Sequence, residues 1–265
     1  MIKLMEQLLE KFSFPVVQLP LFNGTGNETG LKAIYRHDPE KNYHKNWLGH
    51  HTTDYVVTTN QRIIEAAFGI LDSTGLNVNE YDPKNSWISK DLKRMSLSLV
   101  TDEKFSLNDK DQHNLTINMK NSYDGSFAFD STFGTYRLIC SNGAFIGEIL
   151  TQYKRKHVNE FSPELLKHRI MIAIEKFPKL KHVYENMQNS EMSKAELDSI
   201  FEAMEKRNLT SKSDSQNMQE LAGVEKNAYS LMTIFTYYLT HIVNSREKAI
   251  KVNQFMMEKM GRKYV

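Results

Sequence analysis

The densest group of residues that could do chemistry lies in the stretch 121–143, where turn-forming, aromatic, cationic and thiol side chains occur together. Cys140, the one cysteine of the chain, could act as a nucleophile if a histidine activated it. A thiol that ends an apolar Leu-Ile-Cys run is more often inert core, because apolar surroundings raise its pKa and withdraw the thiolate. An enzyme that uses Cys140 is therefore an alternative rather than our expectation. The candidate bases for such an enzyme are His113, His157, His168 and His241.

Two carboxylates of the same stretch, Asp124 and Asp130, flank a predicted hairpin turn and could form a general acid–base pair. A structural role explains each of them more simply. Asp124 precedes Gly125, and an Asp-Gly pair supplies the Asx hydrogen bond and the positive φ of a tight turn. Asp130 falls at a predicted strand end, where it can be solvated. We therefore expect no catalytic site.

Three histidines, His44, His50 and His51, lie close together in a polar segment and could be metal ligands. No cysteine or carboxylate-rich pair accompanies them at a recognised spacing, so the sequence favours solvated loop histidines over a metal site. The glycine-rich segment 23–30 lacks the Gly-Lys-Ser/Thr that a phosphate-binding loop needs. We expect neither a metal nor another cofactor.

Cationic and aromatic residues recur together in a pattern that suits single-stranded nucleic acid. Such a strand is held by cations along its phosphates and by rings on which its bases stack, each stacked base contributing about 1–3 kcal/mol. The candidates fall on predicted strands and turns before residue 143 and on predicted helices after it, so a shared groove at this junction is geometrically feasible. The predicted nucleic-acid-binding residues are Trp87, Lys90, Lys93, Arg94, Tyr123, Arg137, Tyr153, Lys154, Arg155, Lys156, Lys167 and Arg169.

Several of the aromatic and cationic residues can also be explained by structural roles. Phe127 and Phe129 alternate at period two and are predicted to be core, whereas Tyr123, in the turn itself, is the better stacking candidate. The run 154–156 also fits a solvated helix C-terminus that complements the helix dipole. Arg137 has the alternative of anchoring a carboxylate. The carboxylates in question are those of Asp124 and Glu148.

The charge of the chain is nearly balanced overall but unevenly placed. Its 34 Lys and Arg against 32 Asp and Glu give a formal net charge of +2. Residues 151–182 alone contain eight Lys or Arg against three acids, which fits an anionic partner contacted over part of the surface. A single cysteine fits a reducing compartment, and no apolar run approaches the roughly 20 residues of a membrane span. We expect a cytoplasmic protein with no membrane partner.

Four short motifs carry a resemblance to a known family. They are Asn-Ser-Tyr-Asp-Gly-Ser at 121–126, Arg-Leu-Ile-Cys-Ser-Asn at 137–142, Asp-Tyr-Val-Val-Thr-Thr-Asn at 54–60, and a last helix with Asn227, Thr236, Tyr237 and His241. In their order and spacing they resemble the phage/plasmid-like domain-of-unknown-function family over residues 31–255. Gly143 and Ala144 stand where family members often have Thr-Leu, which indicates a divergent subgroup.

The resemblance implies a function in DNA replication or recombination. Family members resemble phage genes for DNA replication and recombination, and this chain's length also resembles that of the single-stranded-DNA-binding proteins of short-tailed phages with a giant virion RNA polymerase. We therefore expect a non-catalytic, phage-type single-stranded-DNA-binding protein of the host cytoplasm, with phage or host replication and recombination proteins as further partners. The alternative is a transcription cofactor that recruits an RNA polymerase through its C-terminal helix and the basic tail 261–265.

The elements expected to position these residues change character near residue 143. Apolar residues recur at period two before it and at period 3.6 after it. The pattern predicts an α+β fold, in which an N-terminal antiparallel sheet region (1–143) carries a covering helix and a helical region (144–265) packs on it as one compact unit. The predicted strands include 54–58 and 113–120, the covering helix is 61–71, later helices are 144–157, 163–189, 193–207 and 224–259, and 210–217 is a polar loop.

Overall fold

The computed structural model describes residues 1–38, 43–108, 111–137, 149–222 and 227–241, together with 251–252, 255 and 258–259. Within these ranges the side chains are described except at 43–45, 136–137, 149, 221–222, 236–237 and 239–241. Antiparallel sheets occupy the N-terminal part and helices the C-terminal part, so the predicted α+β class is confirmed.

The helices of the described chain begin and end at local sequence signals. The Thr59 hydroxyl accepts a hydrogen bond from Arg62 N at the start of α2, and Gly75, in the left-handed conformation at φ 73°, ends that helix. Ser193 and Glu196 form a capping box at the start of α4. The helices are α1 (Ile2–Phe12), α2 (Asn60–Thr74), α3 (Pro163–Gln188), α4 (Lys194–Lys206), α5 (Lys212–Ala222) and α6 (Ala228–His241).

The strands form two sheets. One has three strands in the order β1-β2-β3, and the other has six, with β4-β6-β7-β8-β9 as neighbours and β5 paired with β6. The strands are β1 (Val16–Phe22), β2 (Glu28–Asp38), β3 (Tyr43–Thr52), β4 (Val78–Tyr81), β5 (Trp87–Ile88), β6 (Arg94–Asn108), β7 (Asp111–Ser122), β8 (Phe129–Arg137) and β9 (Ile149–Arg155).

A bulge in β3 decides which of its side chains share a face. Ile34 of β2 pairs with Gly49, and the next residue, Tyr35, pairs with Trp47, so Leu48 is an extra residue on β3. An extra residue shifts the alternation of side chains along one strand. Leu48 is fully buried as a result, while Trp47 is 48% exposed.

The chain divides into two compact units, each assembled from separate segments. Unit 1 comprises Met1–Glu103, Leu115–Phe133 and Ile149–Ala173, and unit 2 comprises Lys104–Asn114, Gly134–Glu148 and Ile174–Val265. Within unit 1, Ile34, Leu48, Tyr55 and Tyr123 form a buried cluster. Unit 2 has its own core, built largely from helices α3 to α6 around Phe201 and Phe235. The predicted boundary between 143 and 144 lies outside the described residues.

The predicted helix 144–157 is wrong over its described part, because Ile149–Arg155 is strand β9. Thr151 and Tyr153 are buried while Gln152 and Lys154 are exposed, which is the alternation of a strand. Isoleucine, threonine and tyrosine at 149, 151 and 153 favour this state, since β-branched and aromatic side chains fit a pleated surface.

Two more predictions are wrong. Residues 54–58 are irregular rather than a strand, and the predicted loop 210–217 contains the start of α5. Burial explains the second difference, because Ser215 and Met218, three residues apart, form a buried stripe on an otherwise polar helix.

Helices predicted at 61–71, 163–189 and 193–207 are confirmed as α2, α3 and α4. Pro178 lies inside the uninterrupted α3. The predicted helix 224–259 is confirmed over Ala228–His241, and most of the rest lies outside the described residues.

Candidate nucleic-acid interface

Four of the predicted cations come together at one cavity of unit 1, which we call the basic cavity. Its volume is about 600 Å³, and it forms where β9, the turn that follows and the first turns of α3 meet. The lining residues are Gln152, Tyr153, Lys154, Arg155, Lys156, Asn159, Leu165 and Arg169.

Secondary structure brings these side chains together. Gln152 and Lys154 are exposed on one face of β9, because alternate residues of a strand share a face. Leu165 and Arg169 are four residues apart on α3 and therefore lie on the same side of the helix. Lys167, two residues from each, is about 200° around the helix axis from them. It is exposed but does not line the cavity.

The cations of the basic cavity have no acidic partner among the described residues. None of Lys154, Arg155, Lys156 and Arg169 forms an ion pair in that part of the chain. The Nε atom of Arg155 is buried and has no hydrogen-bond partner. Like charges gathered in a concave site create a positive potential that attracts anions. The cavity is therefore suited to a negatively charged group.

Tyr153, which was predicted to contact nucleic acid, lines the basic cavity but has a largely buried side chain that packs against its neighbours. Its side chain is buried, and its hydroxyl accepts a hydrogen bond from Ser162 N at 3.1 Å. The ring packs edge-on against Phe129, with 5.4 Å between the ring centroids, and Phe161 lies 6.3 Å away. These contacts fix β9 against the start of α3. They also confirm Phe129 as core.

The prediction that Tyr123 offers a stacking surface is wrong, because its side chain is 1% exposed. The Tyr123 hydroxyl accepts a hydrogen bond from Asn60 N at 3.0 Å. Asn121 Nδ2 donates to Thr58 O and to Asn60 Oδ1, both at 2.8 Å. Burial raises the pKa of the Tyr123 hydroxyl. The conspicuous turn motif thus anchors the start of α2.

Asp124 holds the other side of the same turn. Its carboxylate accepts hydrogen bonds from Arg94 Nε at 2.9 Å and from Ser126 N at 3.0 Å. Burial acts to raise the pKa of Asp124, but the hydrogen bonds from Ser126 and Arg94 outweigh it and leave that pKa below its usual value. Asp124 is therefore a turn residue, as the sequence predicts. Arg94 has a structural partner as well as a predicted binding role.

Two histidines and a tyrosine form a stack that the sequence does not reveal, because His157 is far along the chain from His51 and Tyr55. The ring centroids of His51 and Tyr55 are 3.8 Å apart, and those of Tyr55 and His157 are 4.9 Å apart. His51 Nε2 also lies 2.8 Å from Tyr123 O. Burial lowers the pKa of His157. The expectation that His50 and His51 are loop histidines is wrong, since both lie in β3.

The other residues that were predicted to bind nucleic acid and that precede the turn 122–126 differ in how accessible they are. Trp87 is 38% exposed on β5, and Lys90 is exposed in the turn that follows. Lys93 is half-buried: its Nζ lies 4.6 Å from the ring centroid of Trp47 and 4.0 Å from Asp91 Oδ2. The sequence prediction missed Trp47, which the bulge in β3 turns outward.

Several sequence predictions lie outside the described residues. Cys140, the alternative nucleophile, is among them, and so is the basic tail 261–265. The side chains of Arg137 and His241 are not described either.

Unit 2 contains a buried network around another candidate base, His113. Its Nε2 lies 3.1 Å from Asp111 Oδ1 and 3.2 Å from the Tyr229 hydroxyl. The Tyr229 hydroxyl also donates to Asp111. Phe105 stacks on the imidazole with 5.0 Å between ring centroids. His113 is 2% exposed, so these contacts belong to the core.

A second groove lies on unit 2 between α4 and α5, and its charge is unsuited to nucleic acid. Its volume is about 960 Å³. Three carboxylates, those of Glu191, Asp198 and Glu220, stand against one cation, Lys194, among its described lining residues. The basic cavity of unit 1 is therefore the better candidate for an anionic ligand.

The fold and the cavity together define an α+β protein with a cationic site on its first unit. The chain belongs to the family described as a domain of unknown function, DUF932, which it matches over residues 47–259. No curated protein and no solved structure matches the chain. Among the described residues, no helix is both long and apolar enough to cross a membrane.

Proposed function

We propose that this protein binds single-stranded DNA without catalysis and acts in replication or recombination of a phage-type genome in the host cytoplasm. The observation that carries the proposal is the convergence of Lys154, Arg155, Lys156 and Arg169 on one cavity. Among the described residues these four cations form no ion pair, although Gln152 holds the Asp130 carboxylate beside the cavity. Unpaired cations suit a phosphodiester backbone, whose negative charge is regularly spaced.

The other residues of the basic cavity suit the rest of a nucleotide. Leu165 is 45% exposed and offers an apolar surface to a base or sugar. Asn159, whose side chain is exposed, can hydrogen-bond to base edges or sugars. The Gln152 amide nitrogen donates to Asp130 Oδ1 at 2.8 Å and to Asp130 Oδ2 at 3.0 Å, which leaves its carbonyl oxygen as the group to accept from a ligand. The Arg155 guanidinium belongs to a residue that lines the cavity and can donate to a phosphate oxygen, a charge-assisted bond stronger than a neutral one. This mixture favours a single strand, whose bases are accessible, over a duplex.

The proposal predicts binding that is largely electrostatic. The logarithm of the association constant should fall by about 0.7 for each phosphate neutralised, for every tenfold rise in salt. Four cations at the cavity would therefore contribute a slope of about 2.8. Replacing Gln152 or Leu165 by alanine should change the affinity for DNA with little effect on that slope, because neither residue carries a charge.

The test is a fluorescence-anisotropy titration of an end-labelled single strand of about 30 nucleotides and of its duplex, at low and at high salt. The proposal predicts binding of the single strand at low salt, weaker binding of the duplex, and loss of both complexes at high salt. Absence of binding to the single strand at low salt would overturn it. Equal or tighter binding of the duplex would contradict the preference for single strands.

A further inference from the structure

The two tryptophans of this chain, Trp47 and Trp87, are both exposed, by 48% and 38% respectively. A large aromatic ring left in water forgoes the free energy that its burial would supply. A single exposed ring needs no special explanation. Trp47 differs from a scattered surface residue because an imidazole and an amine lie beside it.

The bulge at Leu48 assembles this group. Residues 47 and 50 of a regular strand would lie on opposite faces, since their spacing is odd. The extra residue brings them to one side, where the rings of Trp47 and His50 stack at an interplanar angle of 18°, with centroids 5.5 Å apart. His50 is exposed as well.

Lys93 completes the group from a different part of unit 1. Its Nζ lies 4.6 Å from the centroid of the Trp47 ring, a cation–π distance. Asp91 Oδ2 is 4.0 Å from the same amine and more than half exposed, so it offsets part of the charge. An exposed ring, a neighbouring imidazole and an amine are the features with which proteins hold a nucleobase and its phosphate.

We infer that Trp47, His50 and Lys93 form a platform for a nucleobase of the bound single strand. Trp47 and His50 supply the stacking surface, and Lys93 supplies a contact for the phosphate. This inference rests on the proposed function, and it adds a base-contacting site to the phosphate-binding basic cavity. The platform is indifferent to base identity, because every base has a π face.

The test separates stacking from charge by comparing two ligands of equal length, an oligothymidine and an abasic phosphodiester strand. Binding of each is measured by the anisotropy of an end label, which does not depend on tryptophan. In a Trp87→Phe protein Trp47 is the only tryptophan, so its emission reports on the platform directly. The platform predicts that oligothymidine changes this emission much more than the abasic strand does, because only oligothymidine supplies a base to stack on the ring.

The key variant is Trp47→Ala. It should bind oligothymidine about 5- to 140-fold more weakly than the wild type, as expected for one lost stacked base. Its affinity for the abasic strand and its salt slope should be unchanged. Trp47→Phe keeps an aromatic ring and should retain most of the affinity. Thermal unfolding of both variants checks that they fold.

Phe22→Ala is the matched control, because Phe22 is an exposed aromatic of the same sheet, at 58%. It should bind both strands as the wild type does. The platform is overturned if the wild type binds oligothymidine and Trp47→Ala binds it equally well, or if that variant loses affinity for both strands alike. If the wild type binds neither strand at low salt, the proposed function itself fails, and this inference fails with it.

Discussion

Tyr123 shows how a residue that is conspicuous in the sequence can serve the fold. It lies in a turn between Ser122 and Asp124, where exposure is the natural expectation, yet its ring packs against Phe14 and its hydroxyl contacts the start of α2. Its hydroxyl is the acceptor for a buried backbone amide, that of Asn60. A missing acceptor would leave this amide buried without a partner.

Tyr123→Phe should therefore lower the free energy of unfolding by about 1–3 kcal/mol, the cost of an unsatisfied buried amide. Urea denaturation measures this. Tyr81→Phe is the control, since its hydroxyl accepts from Lys11 Nζ at an exposed site and its loss should cost less than about 0.5 kcal/mol. A Tyr123→Phe protein as stable as this control would show that the buried hydrogen bond is unimportant.

His157 should make the stability of the fold depend on pH. Burial holds its pKa below the ordinary value of 6.5, and hydrogen bonds to the backbone of Phe127 and Val56 oppose that shift. The unfolded chain thus takes up a proton at pH values where the folded chain does not. The contribution of His157 to stability is fully present above pH 6.5 and is lost as the pH falls through the lower value of the folded state.

His157→Gln should reduce the loss of stability between about pH 7.5 and about pH 5.5, because the group responsible is gone. It should also lower stability at the higher pH by roughly 0.5–1.5 kcal/mol through loss of the stack on Tyr55. Urea denaturation at the two pH values gives both quantities. His168→Gln, at an exposed position on α3, should keep the wild-type pH dependence. An unchanged pH dependence in His157→Gln would contradict this account.

At the scale of elements, the position of β3 depends on a close approach to the turn 122–126. A Cβ at Gly49 would lie 2.6 Å from Tyr123 O and 3.0 Å from Asp124 Cα. Both are backbone atoms, so neither can move aside as a side chain would. Only glycine fits at this point.

Gly49→Ala should consequently destabilise the protein by about 1–3 kcal/mol, as overpacking of a tight site does. Thermal or urea unfolding tests this against Gly24→Ala, where an added Cβ meets nothing within 4 Å. The control should unfold as the wild type does. Equal stability of the two variants would mean that β3 can shift away from the turn at little cost.

The element scale also shows what the sequence could predict. Long segments of clear helical period, such as those of α2, α3 and α4, were found, because burial of one helix face imposes a repeated pattern. Short elements were not: β9 has only seven residues, and α5 has an almost wholly polar surface. The cations of the basic cavity were identified by type, but the error at 144–157 placed Lys154 on a helix. The bulge at Leu48, and with it the exposure of Trp47, depends on the register of β2 with β3, which no local pattern specifies.

At the scale of the whole molecule, two units are built from interleaved segments, and their cavities differ in charge. Within the described part of the chain, the cations of the basic cavity form no ion pair, whereas several lysines on the helices of unit 2 do. Lys179 pairs with Glu175, Lys181 with Glu185 and Lys206 with Glu202. The formal net charge of +2 hides this difference. Where a cation lies, rather than how many there are, should determine binding.

The most direct test of this claim is the salt dependence of single-stranded DNA binding in two triple variants that lose the same charge. Lys154→Ala/Lys156→Ala/Arg169→Ala removes three cations from the basic cavity, and Lys179→Ala/Lys181→Ala/Lys206→Ala removes three from unit 2. The cavity variant should bind more weakly, with a slope of log K against log salt that is smaller by about 2, while the unit 2 variant keeps nearly the wild-type slope. An unchanged slope in the cavity variant, or an equal fall in both, would contradict the assignment of DNA binding to the basic cavity.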